Sequence, residues 1–162
     1  MKTKKIVMSA LLAALVCVAT MIIRLPSPLG GYLNLGDGIV LLCGWLLSPV
    51  YGFLAAGIGS GLADILSGYV AYAPATFVIK GGMALLAYWI GKSLRTRPLT
   101  AKLVGGVTAE LVMIGGYLLF ESFIYGFVPS MVNIPANAVQ GLAGLVVGLL
   151  LVRGFEKHHI IG

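Results

Sequence analysis

The chain alternates long apolar runs with short segments rich in glycine, proline or polar residues. The apolar runs predict six helices, at about residues 6–23, 37–47, 50–66, 75–90, 103–123 and 134–151. A helix that crosses a bilayer needs about 20 apolar residues. The apolar run at 39–47 is about half that long, so the second helix has to tilt, begin earlier or end inside the protein.

The composition places this pattern in a membrane. Of the 162 residues, 59% are hydrophobic and 10% are charged, whereas about 25% are charged in a soluble domain. We therefore expect an all-α integral membrane bundle of six transmembrane helices, multi-pass in the cell membrane, with a single domain over residues 1–162. These helices use nearly the whole chain and leave no room for a nucleotide-hydrolysing domain, so any energy source has to come from another subunit.

The net charge of +6 is explained by membrane orientation rather than by nucleic acid. Cytoplasmic loops of membrane proteins carry an excess of Lys and Arg. Alternate loops collect nine basic residues on one side: Lys2, Lys4, Lys5, Lys92, Arg95, Arg97, Lys102, Arg153 and Lys157. The opposite side collects Arg24 and Lys80. Both termini and the loop at 92–102 are therefore predicted to be cytoplasmic, and the segments at 24–38, 67–76 and 124–133 to face outward.

The segment at 30–38 is polar, punctuated by glycine and directly followed by the short apolar run. Irregular backbone at membrane depth is tolerated only where protein or water covers it. Asn34 and Asp37 therefore either have buried partners or face an aqueous pocket. Both alternatives place polar chemistry at one mouth of the molecule, which is the candidate binding site.

The fifth predicted helix carries Glu110, Tyr117 and Glu121, spaced by seven and four residues. At about 100° per residue, these three side chains share one face. We assign Glu110 to the neutralisation of a basic residue near the cytoplasmic surface. Glu121 either lies at the outer interface or contributes to the binding site.

The sixth predicted helix begins with amides at Asn133, Asn137 and Gln140, and glycines at 141, 144 and 148 continue roughly the same face. Amides offer neutral donors and acceptors, which suit a small heteroaromatic ring, and glycines let a neighbouring helix approach. The alternative is hydrogen bonding between helices without a ligand.

Lys80 and two tyrosines complete the set of candidate contacts. Lys80 either pairs with Asp64 at the end of the third helix or contacts a ligand. Tyr72 or Tyr32 is a candidate for stacking on a ring, whereas Tyr69 is assigned to the aromatic belt at the membrane interface.

Catalytic and metal-binding patterns are not found in the sequence. It has no nucleophile beside a helical His, no His-Glu pair at zinc spacing and no phosphate-binding glycine loop. Cys17 and Cys43 lie in apolar runs and are interpreted as buried hydrophobic side chains, and His158 and His159 as a solvated end. We therefore expect neither enzyme activity nor a metal or cofactor.

The first predicted helix has small residues near its cytoplasmic end, including Ala10, Ala13 and Ala14. Small faces invite close packing of another helix. They serve either the internal bundle or a partner subunit.

Four segments give the chain a family resemblance: GYLNLGD at 31–37, GSGLAD at 59–64, YAPAT at 72–76 and NIPAN at 133–137. Together with the chain length and the basic, alanine-rich amino terminus, they resemble the substrate-binding S components of energy-coupling factor (ECF) vitamin transporters. The resemblance covers nearly the whole chain. Within the family it is strongest to the branch for hydroxymethylpyrimidine or pyridoxine, with riboflavin-type relatives nearby.

The resemblance implies capture of a vitamin or its precursor from outside, with the first loop as a lid and the fourth to sixth helices supplying contacts. It also implies a transmembrane coupling protein and two ATPase subunits as partners, with the small residues of the first helix facing the coupling protein. The competing interpretation is a small secondary carrier or channel that works alone as a homo-oligomer.

Overall fold

Six long or medium helices, a short lid, a four-residue helix and a 3-10 turn make up the described part of the chain, residues 2–94 and 96–157 of a computed structural model. Arg95, His158 and His159 lie outside the described residues. In chain order the elements are α1 (Lys2–Ile22), β1 (Leu25–Pro26), β2 (Tyr32–Leu33), α2 (Asp37–Leu46), α3 (Pro49–Leu66), α4 (Ala73–Ser93), α5 (Pro98–Tyr125), α6 (Phe127–Ser130), a 3-10 turn (Met131–Asn133) and α7 (Ile134–Lys157).

Five segments within the described ranges are long and apolar enough to cross a membrane, and they contain α1, α3, α4, α5 and α7. Large apolar side chains cover their outer faces, for example Ile22, Leu111, Leu119, Leu142 and Leu150. A helix that is apolar on its outside is stable when lipid surrounds it. The prediction of an all-α membrane bundle is therefore confirmed.

The short helix α2 ends inside the protein, which is one of the three alternatives that its length left open. It has 10 residues, and all of those from Asp37 to Gly44 are buried. At about 1.5 Å per residue, a helix of this length covers only about half of the hydrocarbon core. It packs chiefly against α4 and α7, and α3 follows it directly at Pro49.

The lid segment, residues 23–36, covers the end of the bundle where α2 begins. Its two strands pair antiparallel, with Leu25 opposite Leu33 and Pro26 opposite Tyr32. The turn between them ends at Gly31, whose φ of 75° is a conformation that glycine adopts without steric cost. The hairpin is a small addition to the predicted all-helical fold.

The predicted helices match the observed ones, and the differences lie at their ends. α4 begins at Ala73 and α5 at Pro98, so each starts earlier than predicted with a proline in its first turn, where the missing N–H costs nothing. α7 continues to Lys157. The outer segment at 124–133 contains α6 and the 3-10 turn, which the sequence pattern did not predict.

Close helix packing takes place at the small residues of α3. Gly59 lies against the Ala13 carbonyl and Val16 of α1, and Gly57 lies against the Phe77 carbonyl of α4, where an added Cβ would be 2.8 Å away. Small residues let membrane helices bring their backbones together. Both cysteines are buried and free, in agreement with their assignment as apolar side chains.

We predict that Gly59→Ala lowers the stability of the protein, because a Cβ at this position would be 2.8 Å from Val16 Cβ and closer still to the Ala13 carbonyl. The expected loss is about 1–3 kcal/mol, the usual cost of overpacking. Gly82→Ala on α4 is the matched control, since nothing lies within 4 Å of its added Cβ. Thermal unfolding of both variants in detergent measures the difference. Equal melting temperatures would contradict the proposed α1–α3 contact.

Candidate functional site

A buried ion pair forms the floor of the candidate site. The Lys80 ammonium donates a hydrogen bond to Asp37 Oδ1, and these side chains are 2% and 0% exposed. Lys80 lies two turns into α4, and Asp37 is the first residue of α2. A charge at membrane depth is costly unless it is paired or hydrated. The pairing therefore ties α2 to α4 inside the bundle.

Gln140 of α7 completes the floor. Its amide nitrogen donates to Asp37 Oδ2 at 2.7 Å, so both oxygens of this carboxylate have donors. Its amide oxygen accepts a hydrogen bond of 2.9 Å from the backbone N–H of Asn34 in the lid segment. The Asn34 side chain in turn accepts from the Gly36 N–H at 2.9 Å. One glutamine thus links the ion pair to the lid.

A second cluster, nearer the outer end, joins the lid to α5 and to the 3-10 turn before α7. Asn133 Nδ2 donates to Glu121 Oε1 at 2.8 Å, and Asn133 Oδ1 accepts from the Ser27 hydroxyl at 2.6 Å and the Leu29 N–H at 3.2 Å. The Tyr72 hydroxyl also donates to Glu121 Oε1, at 3.3 Å. Asn133 and Glu121 are 1% and 3% exposed. Asn133 therefore holds the lid at a second place, in addition to Gln140.

Aromatic rings pack against one another beneath the lid. The Tyr32 and Tyr69 ring centroids are 4.7 Å apart, and Tyr72 packs edge-on against Tyr69 at 6.3 Å and Phe120 at 5.2 Å. Aromatic side chains at such distances attract one another and offer flat surfaces for another ring. The lid and the α3–α4 and α5 regions all contribute to this wall.

The Tyr32 hydroxyl donates to Asp64 Oδ1 at 2.7 Å, which ties the lid to the end of α3. Burial first, and then this carboxylate, raise the pKa of Tyr32 above its ordinary value. The phenol therefore remains a hydrogen-bond donor at physiological pH. Deeper in the bundle, Tyr117 shares a hydrogen bond of 3.0 Å with Thr76, and its ring lies 5.5 Å from Lys80 Nζ.

The structure brings together nearly all of the predicted substrate-binding residues. Tyr32, Asn34, Asp37, Tyr72, Lys80, Tyr117, Glu121, Asn133 and Gln140 all belong to the connected clusters described above. Asn137 is half-buried between Asn133 and Gln140 on α7. Among the described residues, its amide has no hydrogen-bond partner.

One of the two alternatives for Lys80, its pairing with Asp64, is wrong, and so is the assignment of Glu110. Lys80 pairs with Asp37 and not with Asp64, because α2 lies against α4 while the end of α3 is occupied by Tyr32 of the lid. Glu110 does not neutralise a basic residue near the surface. It is 6% exposed and lies near the middle of α5, against Gly141 and Gly144 of α7.

Three residues with contacts in the candidate site were not predicted from the sequence. Tyr69 was assigned to the interfacial belt, but its ring packs between Tyr32 and Tyr72. Thr76 and Ser27 hydrogen-bond to Tyr117 and Asn133. The only available signal was their place in the polar segments at 24–38 and 67–76, which does not distinguish them from solvated loop residues.

The small residues of α1 divide into two sets. Ala13 is half-buried and its carbonyl lies against Gly59 of α3. Ala10 and Ala14 are exposed. Ala13 therefore packs within the bundle, whereas Ala10 and Ala14 form a surface of small residues on the outside of α1.

These features define a class: a helical membrane protein with a buried polar site beneath a lid. The family model described as "ECF-type riboflavin transporter, S component" matches residues 1–157. A solved structure described as "Structure and mechanism of the S component of a bacterial ECF transporter" has a TM-score of 0.80 to this chain, with 25% sequence identity and 98% of each chain covered.

Two curated relatives are also similar in sequence. "Thiamine precursor transporter HmpT" of Lactococcus lactis subsp. cremoris (strain MG1363) is 26% identical over 161 residues, which are 98% of this chain and 91% of the relative. "Uncharacterized protein in gap 3'region" of Pyrococcus woesei is 36% identical over 134 residues, 82% of this chain and 88% of the relative.

The chain belongs to the family of ECF-type transporter S components. It is a multi-pass membrane protein that serves transport and is not an enzyme, as the sequence predicted.

We predict that Lys80→Met destabilises the protein by about 3–5 kcal/mol, because it leaves the Asp37 carboxylate buried without its counterion. The double variant Asp37→Asn with Lys80→Met removes both charges and is expected to recover most of this loss. Thermal unfolding in detergent compares the variants, with Lys4→Met at an exposed position as the control. A double variant no more stable than Lys80→Met would contradict the pairing.

Proposed function

We propose that this S component captures a small heteroaromatic vitamin or vitamin precursor from outside the cell, with pyridoxine or hydroxymethylpyrimidine as the favoured substrate. The observation that carries the proposal is the convergence of Asp37, Lys80 and Gln140 on a buried floor directly linked to the lid. A site of fixed charges and amides beneath aromatic rings suits a small polar ring. The relative named as a thiamine precursor transporter supports a pyrimidine.

In this proposal, the substrate lies between the floor and the aromatic wall. Tyr32 or Tyr72 stacks on the ring, while the amides of Asn133, Asn137 and Gln140 hydrogen-bond its substituents. The paired Asp37 and Lys80 leave little net charge at the floor, which disfavours a polyanionic ligand. A neutral or weakly basic ring with hydroxyl groups therefore fits better than a phosphorylated one.

The lid exchanges its partners when the substrate enters. Asn133 and Gln140 each hold the lid through one amide oxygen and a second buried group through the amide nitrogen. A ligand that takes over some of these hydrogen bonds releases the lid without leaving buried amides unsatisfied. Substrate entry and lid movement are thus coupled through the same two side chains.

The energy for import comes from partner subunits, a transmembrane coupling protein and two ATPases. The exposed small residues Ala10 and Ala14 on α1 form the surface that meets the coupling protein. Small residues permit the close approach that helix association in a membrane requires. The cargo is then released inward only when the ATPases act.

Transport assays in proteoliposomes separate this function from that of a self-sufficient carrier. We predict that the protein alone binds radiolabelled hydroxymethylpyrimidine or pyridoxine but sustains no uptake, and that uptake requires ATP and the complete coupling module. Ala14→Trp is expected to reduce uptake at least tenfold with unchanged substrate affinity, because it obstructs the α1 surface. Sustained uptake by the protein alone would contradict the proposal.

The α7 assignment leads to a separate prediction about affinity. Asn137→Ala is expected to weaken substrate binding about tenfold without lowering the melting temperature, because the Asn137 amide has no partner among the described residues to lose. Val139→Ala, at a 65% exposed position of the same helix, is the control. Calorimetric titration of purified protein measures both. Unchanged affinity of Asn137→Ala for every vitamin tested would contradict the assignment.

A further inference from the structure

Glu110 is a buried carboxyl that the proposed site has not yet used. It is 6% exposed, and neither of its oxygens has a hydrogen-bond partner among the described residues. A buried polar group without a partner costs free energy, and a carboxylate at membrane depth costs more. A group in this position needs a donor that the described chain does not supply.

The carboxyl lies beside the floor of the site. A Cβ added to Gly144 would be 2.6 Å from Asp37 Cβ and 3.0 Å from Glu110 Oε1, so the two acidic side chains flank the same gap on α7. A Cβ at Gly141 would be 3.1 Å from Glu110 Oε2. The glycines of α7 therefore provide the room in which Glu110 is held next to the ion pair.

The charges around Glu110 do not balance. Asp37 takes the Lys80 ammonium and the Gln140 amide nitrogen, so its two oxygens are satisfied. Lys80 is the buried cation among the described residues of this cluster, and it is shared electrostatically with Glu110. Two carboxyls therefore face one ammonium, and the cluster has room for one more positive charge or proton.

We infer that Glu110 is a specificity-determining residue that binds the basic nitrogen of the substrate ring. A protonated ring nitrogen with an adjacent amino group donates two hydrogen bonds to the two free oxygens. The ring brings the proton, the carboxyl becomes its counterion, and the cluster reaches electrical balance. Hydrogen bonds between ionised partners are about twice as strong as neutral ones.

This inference rests on the proposed function and narrows its substrate class. Aminopyrimidines and pyridines have a basic ring nitrogen, whereas a pyrimidinone or a flavin ring does not accept a proton near neutral pH. Glu110 therefore favours the basic rings over rings of similar shape that lack the basic nitrogen. The other buried acids of the site, Asp37, Asp64 and Glu121, already accept hydrogen bonds from protein side chains.

The test compares two ligands of nearly the same shape, 4-amino-5-hydroxymethyl-2-methylpyrimidine and its 4-hydroxy counterpart, which exists as the pyrimidinone. The unaltered protein is expected to prefer the amino compound by about 10- to 100-fold. Glu110→Gln offers one donor and one acceptor to either ligand, so the preference should fall to within about threefold. Glu110→Leu should lose affinity for the amino compound and show no preference.

Stability separates this role from a purely structural one. Replacement of a buried, unpartnered carboxyl by an apolar side chain is often neutral or stabilising, so Glu110→Leu without ligand is expected to melt no lower than the unaltered protein. Met113→Leu, a buried position one turn along α5, is the packing control. A lower melting temperature of Glu110→Leu alone would assign the carboxyl to structure and overturn the inference.

The outcomes distinguish this inference from the proposed function. If the protein binds the aminopyrimidine or pyridoxine but Glu110→Gln keeps the original preference, the inference is wrong and the proposed function stands. Tighter binding of riboflavin than of either basic ring would also overturn the inference, although the protein would still be a vitamin-binding S component. Failure to bind any of these rings would overturn both.

Discussion

The structure depends on the pairing of Asp37 with Lys80 inside an apolar bundle. A lone charge at this depth would cost several kcal/mol, so each group is retained only because the other is present. The pairing fixes where α2 begins, since Asp37 is its first residue, and against which helix it packs. The short length of α2 follows, because a helix that begins at a buried charge has only the remaining depth of the membrane to cross.

The polar groups of the lid are arranged around the same constraint. Gln140 satisfies the second oxygen of Asp37 and also binds the lid backbone at Asn34. Asn133 performs the corresponding double role with Glu121 and the backbone of Leu29. Because each amide binds both the bundle and the lid, a change in the hydrogen bonds of the floor also changes the hydrogen bonds that hold the lid. In the proposed function, ligand binding and lid opening involve this same set of hydrogen bonds.

Much of this arrangement could be predicted from the sequence, and the errors have definite causes. The apolar runs located the helices, and the shortness of 39–47 left three alternatives, one of which was a helix that ends inside the protein. Helical periodicity placed Glu110 and Glu121 on one face, but the depth and neighbours of Glu110 depended on the α5–α7 packing. Asp64 was one of two alternatives for Lys80 because both lie beside the same loop, whereas its actual partner approaches from α2, a relation that only the tertiary structure supplies. The short helix α6 was missed because its four residues include a proline.

The central claim is that the polar floor and the lid together enclose one small ring molecule. Native mass spectrometry of the protein purified from cells, before and after incubation with hydroxymethylpyrimidine, pyridoxine and riboflavin in competition, tests it most directly. The account predicts one bound aminopyrimidine or pyridine per protein, absent from the double variant Asp37→Asn with Lys80→Met. Retention of lipid alone, or equal ligand binding by that variant, would contradict it.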